Sequence, residues 1–230
     1  AVEQAISAAR GISYPNALNL PIKTEDLPPF VEPYIELTSK MAFLAAQLNK
    51  KAIKAIRVET HGQISEYANS MLTFAIVGAL KESLGEAINY VNAKFLCDEK
   101  GIIAEAVKGA ESIFKNKITV RITTENDVVT VGGTVFGENQ QRIVTINGFK
   151  TDFKPKGKMI VFKNNDVPGV IAQISAILAA EKINIADFRL GRGENGMALA
   201  VILVDENISK ETLAKLNALE TCIWARYAVI

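Results

Sequence analysis

Apolar and polar positions repeat with different periods along this chain, and the periods divide it into two units. In the C-terminal part, Val170, Ile171, Ile174, Ile177 and Leu178 recur as one helical stripe. A short apolar run at 159–162 precedes it as a strand, with Pro168 at the helix entry and Asp166 just upstream as a cap. Ala186, Phe188 and Leu190 then alternate along a second strand, and the apolar run 197–204 returns as a third. A helix over 209–217, with Leu213 and Leu216 inward, and a strand over 223–229 complete the order βαββαβ. That order predicts a ferredoxin-like layer of helices on a sheet in about seventy residues.

The run 197–204 is apolar at both even and odd positions, whereas helices cover only one face of such a sheet. The second face therefore needs cover from a second copy of the module or from the rest of the chain.

The N-terminal part mixes periods. After the proline-rich "LPPFVEP", residues 34–48 read as a helix apolar on one side, and 70–84 as a more central helix, apolar nearly all round. "AIKAIRVETHG" reads as a strand ending at Gly62, and from Lys117 onward the alternation gives consecutive antiparallel strands with turns at 125–127 and 137–139. Residues 149–159, "FKTDFKPKGKM", place Pro155 and Gly157 among four lysines and read as a linker. The expected architecture is α+β in two domains, residues 1–156 and 157–230.

Composition narrows function mainly by exclusion. With 230 residues and 49% apolar content the chain can bury a sizeable core, and 26 basic against 25 acidic residues leave a net charge of +1. No global field would attract nucleic acid or an acidic membrane. Two distant cysteines, Cys97 and Cys222, read as reduced packing thiols of a cytoplasmic protein, and no apolar run has the length of a membrane span. The chain begins at Ala1 with "AVEQAISAAR", which reads as a helix already under way and suggests a piece of a longer protein.

Candidate chemistry is sparse. Gly191, Gly193 and Gly196 have the G-x-G-x-x-G spacing of dinucleotide sites, but a strand follows them instead of a helix, so they read as a hairpin turn. His61, the single histidine, reads as a loop or surface residue without a nucleophile partner, and no metal motif or catalytic constellation is present. One binding constellation remains. Asn164 and Asp166 are two apart at a strand end and share a side, beside the free first-turn amides of Gly169 and Val170. A carboxylate fits the amides, and an ammonium and a hydroxyl fit the side chains, a complementary set for a small amino acid. The same pattern also suits an Asx turn with a helix cap.

The stretch "KNNDVPGVIAQISAILAAEKINIADF" resembles the ACT regulatory module, and "YPNALNLP", "NYVNAKFLCDEKGI", "TVGGTVFG" and "RIVTINGF" resemble blocks of the intervening, allosteric substrate-binding domain of the bacterial D-3-phosphoglycerate dehydrogenase family. Together they cover nearly the whole chain. The resemblance implies the C-terminal regulatory half of an enzyme that oxidises 3-phosphoglycerate with NAD to 3-phosphohydroxypyruvate at the start of serine synthesis. NAD would bind the parent enzyme upstream, with no cofactor in this part.

The resemblance further implies L-serine as feedback effector, bound between paired ACT modules by Asn164, Asp166 and the neighbouring chain's Asn184. Family members often carry His or Tyr where Asn164 stands. It also implies self-association, and an anion site for phosphate or phosphohydroxypyruvate at Arg142 and Lys154, with Lys156 within reach. Competing readings are a free-standing amino-acid sensor and the small subunit of an iron-sulfur L-serine dehydratase. The latter's serine-rich opening motif is absent, and two lone cysteines cannot hold a cluster.

Overall fold

The structure, a computed structural model, describes residues 28–49 and 51–230. The predicted helix at the start of the chain and the "YPNALNLP" block lie outside the described residues. Helix α1 (Glu32–Gln47) carries a proline in its first turn, where the missing N–H has no intrahelical partner to lose. Strand β1 (Ile53–Gly62) follows, then α2 (Ala68–Leu84), α3 (Ala93–Glu99) and β2 (Ile103–Lys108). The meander β3 (Asn116–Thr124), β4 (Val128–Phe136), β5 (Gln140–Ile146) and β6 (Phe149–Phe153) completes a six-stranded sheet of order β2-β1-β3-β4-β5-β6. Only the β1–β2 pair is parallel.

Helices α1 and α2 cover one face of this sheet. Gly78 of α2 lies so close to the Ser39 carbonyl of α1 that a methyl group there would clash with it. On the same face Gly133 of β4 leaves room for Leu37 and Met41 of α1. The apolar length of α2 is thus explained by its central place, with Met71, Ala75, Ile76, Ala79 and Leu80 buried. The opposite, helix-free face carries exposed charges such as Arg57, which pairs with Glu105 at 3.3 Å.

The second sheet has the order β10-β7-β9-β8, built from β7 (Lys158–Asn165), β8 (Ile185–Arg192), β9 (Met197–Val204) and β10 (Cys222–Val229). Helices α4 (Val170–Ala180) and α5 (Lys210–Asn217) cover one face, over Ile160, Phe162, Ile202 and Ala225. Ser209 caps α5 by accepting from the Thr212 N–H at 3.0 Å. The other face, with Met159, Val161, Leu199 and Val201, joins the core of the first unit. Of the two covers foreseen for this strand, the rest of the chain supplies one.

The reading of 149–159 as linker needs correction. Asn147 and Gly148 both have positive φ, 48° and 82°, and make the tight Asn-Gly turn that reverses β5 into β6. Phe149 and Phe153 are buried, each contributing roughly 1.5–3 kcal/mol by leaving water. The connection shrinks to 154–157, held by a pair of backbone bonds between Gly157 and Ile230 at 2.9 and 3.0 Å.

Strand β6 also meets the second sheet. A methyl group on Gly191 would lie inside the Lys150 carbonyl oxygen, and one on Gly193 would lie 2.9 Å from Cε1 of Phe149. The glycines of the G-x-G-x-x-G stretch therefore serve a close strand approach, and Gly196, at φ 71°, makes the hairpin turn. A second latch sits at the other edge. The Gln47 side chain donates to the Val229 carbonyl at 2.9 Å and accepts from its N–H at 3.0 Å, while Arg226 pairs with Asp127 at 3.2 Å.

Two outcomes are expected. Gly191→Ala should destabilise the protein by about 1–3 kcal/mol in urea unfolding, because the methyl meets backbone, and Gly193→Ala should cost less, because Phe149 can rotate away. Burial pushes the Cys97 thiol, also raised by Asp98, and the Cys222 thiol to about 11. An acid whose pKa is raised by folding adds stability below its unfolded value that fades as pH climbs through the folded one. The melting temperature should therefore fall between about pH 9 and 11, and less steeply in Cys97→Ala, Cys222→Ala.

Candidate functional site

Strand β7 turns Ile160, Phe162 and Asn164 toward the helices and Met159 and Val161 toward the first unit. The alternation thus carries a polar residue into a row otherwise filled by core side chains. Asn164 is only 3% exposed; its Nδ2 donates to the Asn165 carbonyl at 2.6 Å, and its Oδ1 has no partner. Leaving such an oxygen buried and unmatched costs about 1–3 kcal/mol. A donor from outside the chain would remove that cost.

Asn164 lines a groove of about 440 Å³ between the end of the sheet and the start of α4. The backbone of Gly169 and Val170 forms one rim, and first-turn amides there have no carbonyl within the helix to bond. Val167, Ile171, Phe188, Leu190 and Ala200 form apolar walls, and Val167, Ile171 and Leu190 are exposed. Asp166 follows the last residue of β7; its N–H donates to the Gly196 carbonyl at 2.9 Å, which ties the β8–β9 turn to the groove.

The Asp166 side chain does not cap α4, contrary to the sequence reading. Gly169 occupies the cap position at φ 91°, and no side chain bonds there. Pro168 correspondingly lies in the turn before the helix and not in its first turn. Asp166 Oδ2 instead accepts from Arg192 Nε at 2.6 Å, a bond that raises the guanidinium pKa above its ordinary value. Arg192 is a groove residue that sequence reasoning missed. The signal was available: residues 188, 190 and 192 share one face of β8, so Arg192 extends the row of Phe188 and Leu190.

The remaining candidates lie apart. Asn184 precedes β8 at its far end, where its side chain donates to Asp205 at 2.6 Å and its N–H to Glu206 at 2.7 Å. Eight residues of strand, roughly 26 Å, separate it from the row of Asn164. Within one chain the two cannot share a ligand.

Lys154 and Lys156 line a shallow groove of about 280 Å³ with Glu36, Lys40 and Gln141. Arg142 is not part of its lining; its Nε lies 3.7 Å from Asp152. His61, expected at the surface, is buried to 9% exposure, with Nδ1 2.6 Å from the Ala110 carbonyl and Nε2 3.3 Å from Glu59. Gly109 leaves the room its ring occupies. Among the described residues no group of three or more His, Cys, Asp or Glu is arranged to hold a metal ion, and no helix is long and apolar enough to cross a membrane.

Comparison with known proteins finds two matches along the chain. Residues 30–147 match the D-3-phosphoglycerate dehydrogenase intervening domain. The chain belongs to that family. Behind the intervening domain, residues 158–221 match the ACT domain, which contains the groove. The two matched domains are the regulatory ones of D-3-phosphoglycerate dehydrogenase.

Curated relatives carrying that name are similar over nearly the whole chain. The Bacillus subtilis protein is 31% identical over 94% of this chain and 42% of its own length. The Archaeoglobus fulgidus protein is 32% identical over 98% of this chain and 44% of its own, and the Synechocystis protein 27% over 94% and 40%. The chain thus spans about two-fifths of the length of these relatives.

Proposed function

We propose that this chain is the regulatory portion of a D-3-phosphoglycerate dehydrogenase, with the ACT groove as the seat of an amino-acid effector, L-serine. The observation that carries this reading is Asn164, buried at the groove with an unmatched oxygen, beside free helix amides and the Asp166 carboxylate. An α-amino acid offers the missing donor in its ammonium, a carboxylate for the amides and, in serine, a hydroxyl. In the whole protein the activity would be oxidation of 3-phosphoglycerate with NAD, on domains outside this chain.

Self-association belongs to the same reading. Exposed Val167, Ile171 and Leu190 rim the groove, and Asn184 can join Asn164 and Asp166 only from a second copy. The effector would then bridge two ACT domains, and it regulates only through its difference in affinity between two arrangements of the assembly. In the intervening domain, Arg142, Lys154 and Lys156 would take an anion, phosphate or phosphohydroxypyruvate.

Calorimetric titration should show saturable L-serine binding, weaker or absent with glycine and L-alanine, and weakened at least ten-fold by Asp166→Ala through loss of a charge-assisted bond. Silence with all three amino acids in the unmodified chain would overturn the effector reading. Phosphate or phosphohydroxypyruvate should raise the melting temperature, and the Arg142→Ala, Lys154→Ala double variant should abolish that rise. An unchanged rise in the variant would remove these residues from the anion site.

A further inference from the structure

An exposed ion pair is ordinary on a protein surface and contributes little to stability. The Asp166–Arg192 pair is distinguished by its place. The register sets Arg192 opposite Ala198 and Ala198 opposite Asn164, so the three form one row across β8, β9 and β7. Adjacent strands lie about 4.8 Å apart, which puts Arg192 and Asn164 roughly 10 Å apart along the row. The residue of β9 between them in the row is the small Ala198, and the Asp166 carboxylate reaches Arg192 from the β7 side. All three face the helix side, where Phe162, Leu190 and Ala200 also point.

A free amino acid carries opposite charges on a single carbon. Placed in the groove, which Asn164, Asp166 and Arg192 all line, it would turn its ammonium to the Asn164 oxygen and Asp166 and its carboxylate to the far side of the row. The charged group waiting there is a guanidinium, whose planar fork matches a carboxylate with two parallel bonds. We propose that Arg192, in place of the Gly169 and Val170 amides, recognises the α-carboxylate of the effector, leaving those amides to the serine hydroxyl oxygen, and that the effector enters by exchanging the Asp166–Arg192 pair for two pairs with its own zwitterion. This inference rests on the groove being an amino-acid site.

The exchange keeps the groove neutral, since one ion pair is opened and two are formed around a ligand of zero net charge. It also sets the specificity. A ligand with the ammonium but without the carboxylate opens the pair and leaves Arg192 unmatched, so the site selects free amino acids over their amides. Arg192 is 72% exposed in its side chain, so its truncation removes no core packing.

The test compares L-serine with L-serinamide, by calorimetry on the whole 230-residue chain and its Arg192→Ala and Arg192→Lys variants. Arg192→Ala is expected to weaken L-serine about ten-fold or more, and Arg192→Lys to recover part of the loss as a point charge without the fork. L-Serinamide should bind weakly and equally to the unmodified chain and Arg192→Ala. The Arg192 Nε–H resonance should shift with L-serine and not with the amide.

Unmodified L-serine affinity in Arg192→Ala, or an undiminished preference for L-serine over the amide in that variant, would overturn the inference. Loss of binding in Asp166→Ala with full retention in Arg192→Ala would overturn it while leaving the effector site standing. Failure of the unmodified chain to bind either compound would remove both.

Discussion

The architecture turns on one close approach, where β8 of the ACT sheet runs past β6 of the intervening domain with no space for a side chain at Gly191. Interiors are packed to crystal-like density, so a backbone contact of this kind fixes the relative position of two sheets more tightly than a layer of flexible side chains could. Around it Phe149 and Phe153 bury against the unit core, which also takes in Met159, Val161, Leu199 and Val201. A ferredoxin-like sheet would otherwise present an apolar face to water. Here that face becomes the seam of the two domains, and the Gln47–Val229 and Arg226–Asp127 contacts close its other edge.

The same contact ties the candidate effector groove to the intervening domain. Arg192 sits between the two glycines that lean on β6, and its side chain meets Asp166 at the groove. The Asp166 backbone is held in turn by Gly196 of the β8–β9 turn. A change in how Arg192 is paired is therefore applied to a hairpin whose flanking backbone touches Phe149 and Lys150. Packed contacts of this sort can carry coupling between sites when the element they belong to has two arrangements. At the groove end the unmatched Asn164 oxygen carries a cost that a bound donor would remove.

Much of the fold was legible in the residues, and what was missed has local reasons. The stripe from Val170 to Leu178 and the run 197–204 identified their elements because strong periodicity leaves one reading. Strand β6 was missed because five residues with lysine and aspartate at alternate positions look like a polar linker, although the Asn147–Gly148 pair that precedes them is a strong hairpin signal. Asp166 reads locally as a helix cap, but its carboxylate instead accepts from an arginine twenty-six positions away. His61 reads as a loop residue until Gly109, from a distant strand end, is seen to leave it a pocket.

By itself the sequence determined the strongly periodic helices and strands, the βαββαβ order of the ACT domain and the placing of Asn164 and Asp166 at one strand end, because these depend on periods and spacings within a few residues. Only the tertiary structure decided that the three glycines serve a seam and a turn, that Asn164 is buried with an unmatched oxygen, and that Arg192 shares its row across two neighbouring strands. Those facts depend on strand register and on the distance between sheets. Such quantities are set by packing between residues far apart in the chain, and no local pattern encodes them.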